Sequence, residues 1–101
     1  MAKVSSINKN NKRIELSDRF FKKRQALKKI IMDKKISLED RFKAQQKLSN
    51  LPRNSAKNRV MNRCQITWSP HGVYRKLKIS RIALRQLGLH GLIPGMTKSS
   101  W

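Results

Sequence analysis

The second part of this 101-residue chain has no acidic side chain. All five carboxylates, Glu15, Asp18, Asp33, Glu39 and Asp40, fall within the first forty positions, against 25 Lys and Arg overall and a net charge of +20. Residues 41–101 therefore carry Arg41, Lys43, Lys47, Arg53, Lys57, Arg59, Arg63, Arg75, Lys76, Lys78, Arg81, Arg85 and Lys98 with no internal counter-charge. Such a balance repels itself when compact and attracts a polyanion. There is one cysteine, Cys64, which excludes an intrachain disulfide framework, fits a reducing compartment and cannot by itself make a zinc site. The longest purely apolar run is about three residues, such as Ile30, Ile31 and Met32, too short for a membrane span or the apolar region of a secretory signal. Neither histidine has an evident carboxylate neighbour and no Gly-rich phosphate loop occurs, so neither a small-molecule substrate nor a cofactor is expected. The chain reads as a non-enzyme.

The length is that of one small domain, and a chain of this size buries roughly 60–70% of its unfolded surface. With 38% apolar and 30% charged residues, the isolated protein is expected to be largely unfolded. Residues 1–16 are polar, Lys- and Asn-rich and without periodicity, which predicts an extended basic arm. A mitochondrial targeting peptide is the rival reading, interrupted by Glu15 and Asp18.

A helical hairpin is expected over 17–51. Ser17 is a plausible N-cap, and Leu16, Phe20, Leu27 and Ile31 fall in a narrow arc, with Arg24 beside it. That thin stripe suits a docked partner or a mostly solvated helix. Ser37 and Asp40 resemble a capping box opening a second helix, which Pro52 stops near Asn50. Leu38 and Phe42 would then meet Leu27 and Ile31.

Residues 52–63 form a basic linker in which Arg53, Asn54, Ser55, Lys57, Arg59 and Arg63 offer donors and acceptors suited to phosphates, sugars and base edges. Over 64–101 the spacing of Cys64, Thr67, Ser80 and Ala83 copies that of a four-cysteine zinc knuckle with three positions changed. Thr, Ser and Ala do not ligate zinc, and His71 in mid-loop would still leave the site open, so no metal is expected. Packing by Val73, Leu77, Ile79, Ile82, Leu84 and Leu87 must replace it, with Cys64 a small buried apolar side chain. A short helix is predicted from Ser80 to Leu87, ended by Gly88, with Arg81 and Arg85 on one side and Ile82, Ala83 and Leu87 around the other. Arg75, Lys76 and Lys78 extend the basic face. Trp68 and Tyr74 either stack on unpaired bases or pack the small core. In the tail, Trp101 is expected to dock or to be an exposed end.

The stretches "LPRNS" (51–55), "NRC" (62–64), "SPHGVYRKLKISRIALRQL" (69–87) and "KSSW" (98–101) resemble, in that order, the family of ribosomal protein fourteen of the small subunit, in its long zinc-free bacterial form. The resemblance covers the whole chain. It implies a structural constituent of the small-subunit head, bound to small-subunit rRNA and to neighbouring head proteins, and no membrane or small-molecule partner. It further implies that Cys64, Thr67, Ser80 and Ala83 stand where the short form of the family holds zinc with four cysteines. Trp68 and Ser69 depart from the Gly and Arg common in the family before Pro70. The surplus of Lys, Asn and Ile suits an alphaproteobacterial or mitochondrial lineage, with the mitochondrial matrix slightly favoured over bacterial cytoplasm.

The expectation is thus a mostly α chain with irregular extended segments: arm, helical hairpin, degenerate zinc-knuckle-like module and C-terminal helix. The residues expected on RNA are Arg53, Asn54, Ser55, Lys57, Arg59, Arg63, Arg75, Lys76, Lys78, Arg81 and Arg85. The alternative is a basic architectural nucleic-acid-binding protein outside the ribosome.

Overall fold

No Gly or Pro occurs between Met1 and Leu51, and the longest element follows from that. In the computed structural model, which describes residues 2–99, α1 runs from Val4 to Met32 and α2 from Leu38 to Ser49. Two single 3₁₀ turns follow, Arg53–Ser55 and Lys57–Arg59, then the two-residue strands β1 (Val73–Tyr74) and β2 (Ile79–Ser80), and α3 (Arg81–Leu89). The fold is mostly helical with irregular segments. It divides into two compact units, one of Asn8–Val60 and one of Met1–Ile7 with Met61–Trp101. None of the helices among the described residues is long and apolar enough to cross a membrane. The expected docking of Trp101 lies outside the described residues.

Residues 4–16 correct the expectation of an extended arm: they are the first half of α1, opened by Ser6 and Ile7 N–H groups on the Lys3 carbonyl. The Asn and Lys of this stretch are indifferent to favourable helix residues, and once a helix is nucleated each added residue gains a backbone hydrogen bond. Ser17 consequently sits inside the helix, buried, and does not cap it. Arg19 pairs with Glu15 at 3.2 Å one turn away, a solvent-exposed contact that contributes little.

Between the helices, Asp33 Oδ1 accepts the Lys35 N–H at 3.0 Å and closes a tight turn. At the start of α2 the Ser37 hydroxyl donates to Asp40 Oδ2 at 2.9 Å, so the expected pairing occurs between side chains, and the hydroxyl does not accept a backbone N–H. The expected Leu38 and Phe42 contacts are corrected: these side chains are 77% and 63% exposed. Arg41 joins the two helices instead, its Nε donating to the Ile31 carbonyl at 2.9 Å. Ala44 is the buried apolar residue of α2.

In the other unit the strands form an antiparallel hairpin, Val73 opposite Ser80 and Tyr74 opposite Ile79. Its loop is Arg75–Lys78, closed by Lys78 N–H on the Tyr74 carbonyl at 2.7 Å with Lys78 at φ 57°. From sequence this stretch reads as a loop, because the left-handed position carries Lys where Gly is usual. Cys64, Ile79 and Ala83 make the buried core, with Val73, Leu84, Leu87 and Ile93 packed against it. Ile82 was expected among the core residues of α3 but is 61% exposed. The helix is rotated so that Ala83 and Leu87, four apart, face inward with Leu84.

Ser80 caps α3 by accepting the Ala83 N–H at 3.2 Å. The helix ends later than expected. Gly88 is helical, and Gly91, at φ 69°, is the terminating glycine: Leu92 N–H reaches the Leu87 carbonyl and Gly91 N–H the Gly88 carbonyl, the paired closure of a Schellman motif.

Candidate nucleic-acid interface

The Cys64 turn and the start of α3 organise the basic surface of the second unit. Cys64 N–H donates to the Ser69 carbonyl at 3.0 Å, Trp68 N–H returns to the Cys64 carbonyl at 2.9 Å, and Gln65 N–H joins the Lys78 carbonyl at 3.0 Å. The Thr67 N–H points at Cys64 Sγ at 3.4 Å, and the sulfur is wholly buried. Burial acts to raise the pKa of this thiol. Hydrogen bonds from the Thr67 side chain and backbone, then from the Ser80 and Ile66 backbone, outweigh it and bring the pKa from 9.0 down to about 6.

These donors aimed at sulfur could serve a metal thiolate, but the rest of the set does not fit one. The Ser80 hydroxyl is engaged as the helix cap, Ala83 has no donor atom, and no group of three or more His, Cys, Asp or Glu among the described residues could hold a metal. Packing around Cys64, Ile79 and Ala83 holds the turns together.

The candidate RNA residues fall into two kinds. Arg53, Arg75, Lys76, Lys78, Arg81 and Arg85 are exposed, and among the described residues no acidic side chain pairs with them. Those from Arg75 onward lie on the hairpin loop and α3, in one compact unit. The remainder make contacts within the protein, although Asn54 and Lys57 are exposed as well. Ser55 is 1% exposed; its Oγ accepts from Arg24 Nε at 2.9 Å and donates to the Pro52 carbonyl, so the side chain has no free face for a ligand. Asn54 Oδ1 accepts from Arg59 Nη1 at 3.2 Å, and Lys57 Nζ lies 5.8 Å from the centre of the Phe21 ring. Half-buried Arg63 donates from Nη1 to the Trp68 carbonyl at 2.9 Å.

The residue sequence reasoning missed is Arg24. It ties α1 to the 3₁₀ turns, through Nε to Ser55 and Nη2 to the Pro52 carbonyl at 3.1 Å, and so fixes the path of the basic linker. Its place beside an apolar stripe was the available signal. Trp68 and Tyr74 are 39% and 51% exposed, and neither belongs to the core cluster. Trp68 also adopts φ 60°, a genuine outlier for a bulky side chain, held by its bonds to Cys64 and Arg63.

Comparison with known proteins gives one consistent answer. A family model described as "Ribosomal protein S14p/S29e" matches residues 47–100. The chain is 91% identical over 101 residues to "Small ribosomal subunit protein uS14" of Pelagibacter ubique (strain HTCC1062), covering the whole of both sequences. Proteins of the same name from Mesorhizobium japonicum and Chelativorans sp. (strain BNC1) are 60% and 58% identical, again over the full length of each.

Proposed function

The chain belongs to the ribosomal protein S14p/S29e family, and on that premise we propose that it is a structural, non-enzymatic constituent of the small ribosomal subunit that binds its rRNA and abuts neighbouring ribosomal proteins. The observation that carries this reading is 91% identity over the complete length of a small ribosomal subunit protein. The acid-free second part and the exposed cations of the hairpin loop and α3 are what contact with rRNA phosphates requires.

The contacting set is Arg53 from the linker and Arg75, Lys76, Lys78, Arg81 and Arg85 from the hairpin and α3. Arg59, Arg63 and Lys57, with Asn54 and Ser55, act by holding the linker and the Cys64 turn in shape. We read the segment from Cys64 to Ala83 as a knuckle kept without its metal: backbone turns, a buried sulfur and a capped helix supply the order that zinc would otherwise provide. Exposed Leu38, Phe42 and Met32 belong to a surface for neighbouring proteins. The relatives named above are all bacterial, so the expectation of a mitochondrial matrix location has no support and the compartment is read as bacterial cytoplasm.

Competition between folded small-subunit rRNA and duplex DNA of matched length, at fixed salt, tests the reading. Strong preference for the folded rRNA is expected; equal affinity would favour an architectural protein acting outside the ribosome.

A further inference from the structure

Arg81 lines two hollows of one compact unit. The larger, about 580 Å³, is walled by Thr67, Pro70, His71 and Ile82; the smaller, about 340 Å³, by Val73 and Tyr74; Gly72 and Arg81 border both. Gly72 lets the arginine lie there. A Cβ at this position would come within 3.3 Å of Arg81 Cδ, 3.4 Å of Cγ and 3.6 Å of Nε, so the side chain crosses the glycine where any other residue would stand. The backbone agrees, since Arg81 N–H donates to the Gly72 carbonyl at 2.7 Å and Gly72 sits at φ 60°.

Residues 41–101 contain no acidic side chain to pair with the guanidinium. One hollow it lines has an imidazole, a proline ring and an isoleucine in its wall, beside Ser69 and Ser80; the other has the half-exposed Tyr74 ring, which takes no part in the core. A planar cation shared by two recesses, each with a flat or apolar side chain in its wall, suits a phosphate with a base on either side of it in a single strand. Both recesses fall in or near the roughly 300–1,000 Å³ range of ligand pockets, and an arginine fork matches a phosphodiester.

Resting on the ribosomal reading, we infer that Arg81, Tyr74 and the His71 hollow form a site for two consecutive unpaired nucleotides of rRNA, the bridging phosphate on Arg81 and one base in each hollow. Sequence-tolerant stacking on Tyr74 and contact with Pro70 and Ile82 hold the bases, so the site selects an unpaired step over a helical one.

Small subunits reconstituted with wild-type protein, Arg81→Ala, Arg81→Lys, Tyr74→Leu and Tyr74→Phe are sedimented, then probed for base reactivity at every rRNA nucleotide. All variants are expected to join the subunit, because the other cations remain. Tyr74→Leu should raise the reactivity of two adjacent unpaired nucleotides roughly fivefold or more, the effect of losing one base–aromatic stack, and Arg81→Ala, which releases the phosphate between them, should raise the reactivity of the same two. Tyr74→Phe should keep them protected, and Arg81→Lys should protect them in part. Tyr74 is half-exposed and outside the core, so its variants test the site without unfolding it. If wild-type protein fails to join the subunit, the ribosomal reading falls and this site with it. If it joins and the variants leave every nucleotide unchanged, or change only paired ones, the ribosomal reading stands and the two-hollow site is overturned.

Discussion

Replacing cations one at a time should separate those that neutralise phosphates from those that shape the protein, and the separation can be calculated. Each phosphate neutralised contributes about 0.7–0.9 to the slope of log affinity against log salt. If each neutralises one phosphate as proposed, the five exposed cations of the hairpin loop and α3, Arg75, Lys76, Lys78, Arg81 and Arg85, should account for a slope of about 3.5–4.5. Lys76→Ala or Arg85→Ala should each lower it by about 0.7–0.9, so that the affinity lost between 50 and 200 mM salt becomes about threefold smaller per site. Arg63→Ala removes the same charge from a half-buried guanidinium that holds the Trp68 carbonyl at 2.9 Å. It should weaken binding at every salt concentration while changing the slope by much less than one phosphate. Ser55→Ala removes the acceptor of Arg24 without altering charge, and a hydrogen bond to a charged group is worth about 1.5–3 kcal/mol, less here because Arg24 is partly solvated. About 5–30-fold weaker binding with an unchanged slope is expected. Titration of small-subunit rRNA with each variant at four salt concentrations measures both quantities. An Arg63→Ala slope falling as far as that of Lys76→Ala would refute the division of the cations.

The end of α3 provides a paired test, read by amide exchange of the rRNA-bound protein. Gly91→Ala should loosen the last turn by about 1 kcal/mol because φ is 69°, whereas Gly88→Ala should strengthen the helix by about 0.5–1 kcal/mol, its Cβ meeting only Met96 Cγ at 3.7 Å. The Cys64 thiol, with its pKa lowered, favours the folded state when ionised: that contribution is complete above about pH 9 and is lost as the pH falls to about 6. The Cβ resonance of isotope-labelled Cys64 should titrate near 6 in the bound protein and near 9 in urea, and the corresponding part of the pH dependence of stability should vanish in Cys64→Ala. Without RNA the chain should show no cooperative thermal transition by circular dichroism, since its buried apolar residues are only Ala44, Cys64, Ile79 and Ala83 among the described residues. A sharp transition in the free protein would contradict this.

The two parts of the chain were unequally legible in sequence. The bounds of α2 follow from Ser37 and Pro52, which act within a few residues. The first half of α1 did not, because polar composition describes solvation better than backbone conformation, and Asn and Lys are compatible with both helix and arm. The β1–β2 hairpin lacks the glycine that ordinarily marks such a turn, with Lys78 taking the left-handed position. Gly88 and Gly91 both sit where a helix can end, and only the bonds of Gly91 and Leu92 choose between them. Among the candidate RNA residues the charge was readable from composition, but its availability was not. The Arg24 contact with Ser55 spans 31 residues and has no local signature, so a buried hydroxyl resembled a free one.

The central claim, integral membership of the small ribosomal subunit, is tested most directly by sedimenting a cell lysate through gradients at moderate and then high salt while following this protein. Phosphate contacts alone weaken steeply with salt, so a loosely held polycation is stripped. Co-migration with the small subunit at both salt concentrations is the result expected of a shaped, multiply anchored rRNA-binding protein. Release to the top of the high-salt gradient, or migration with DNA, would contradict it.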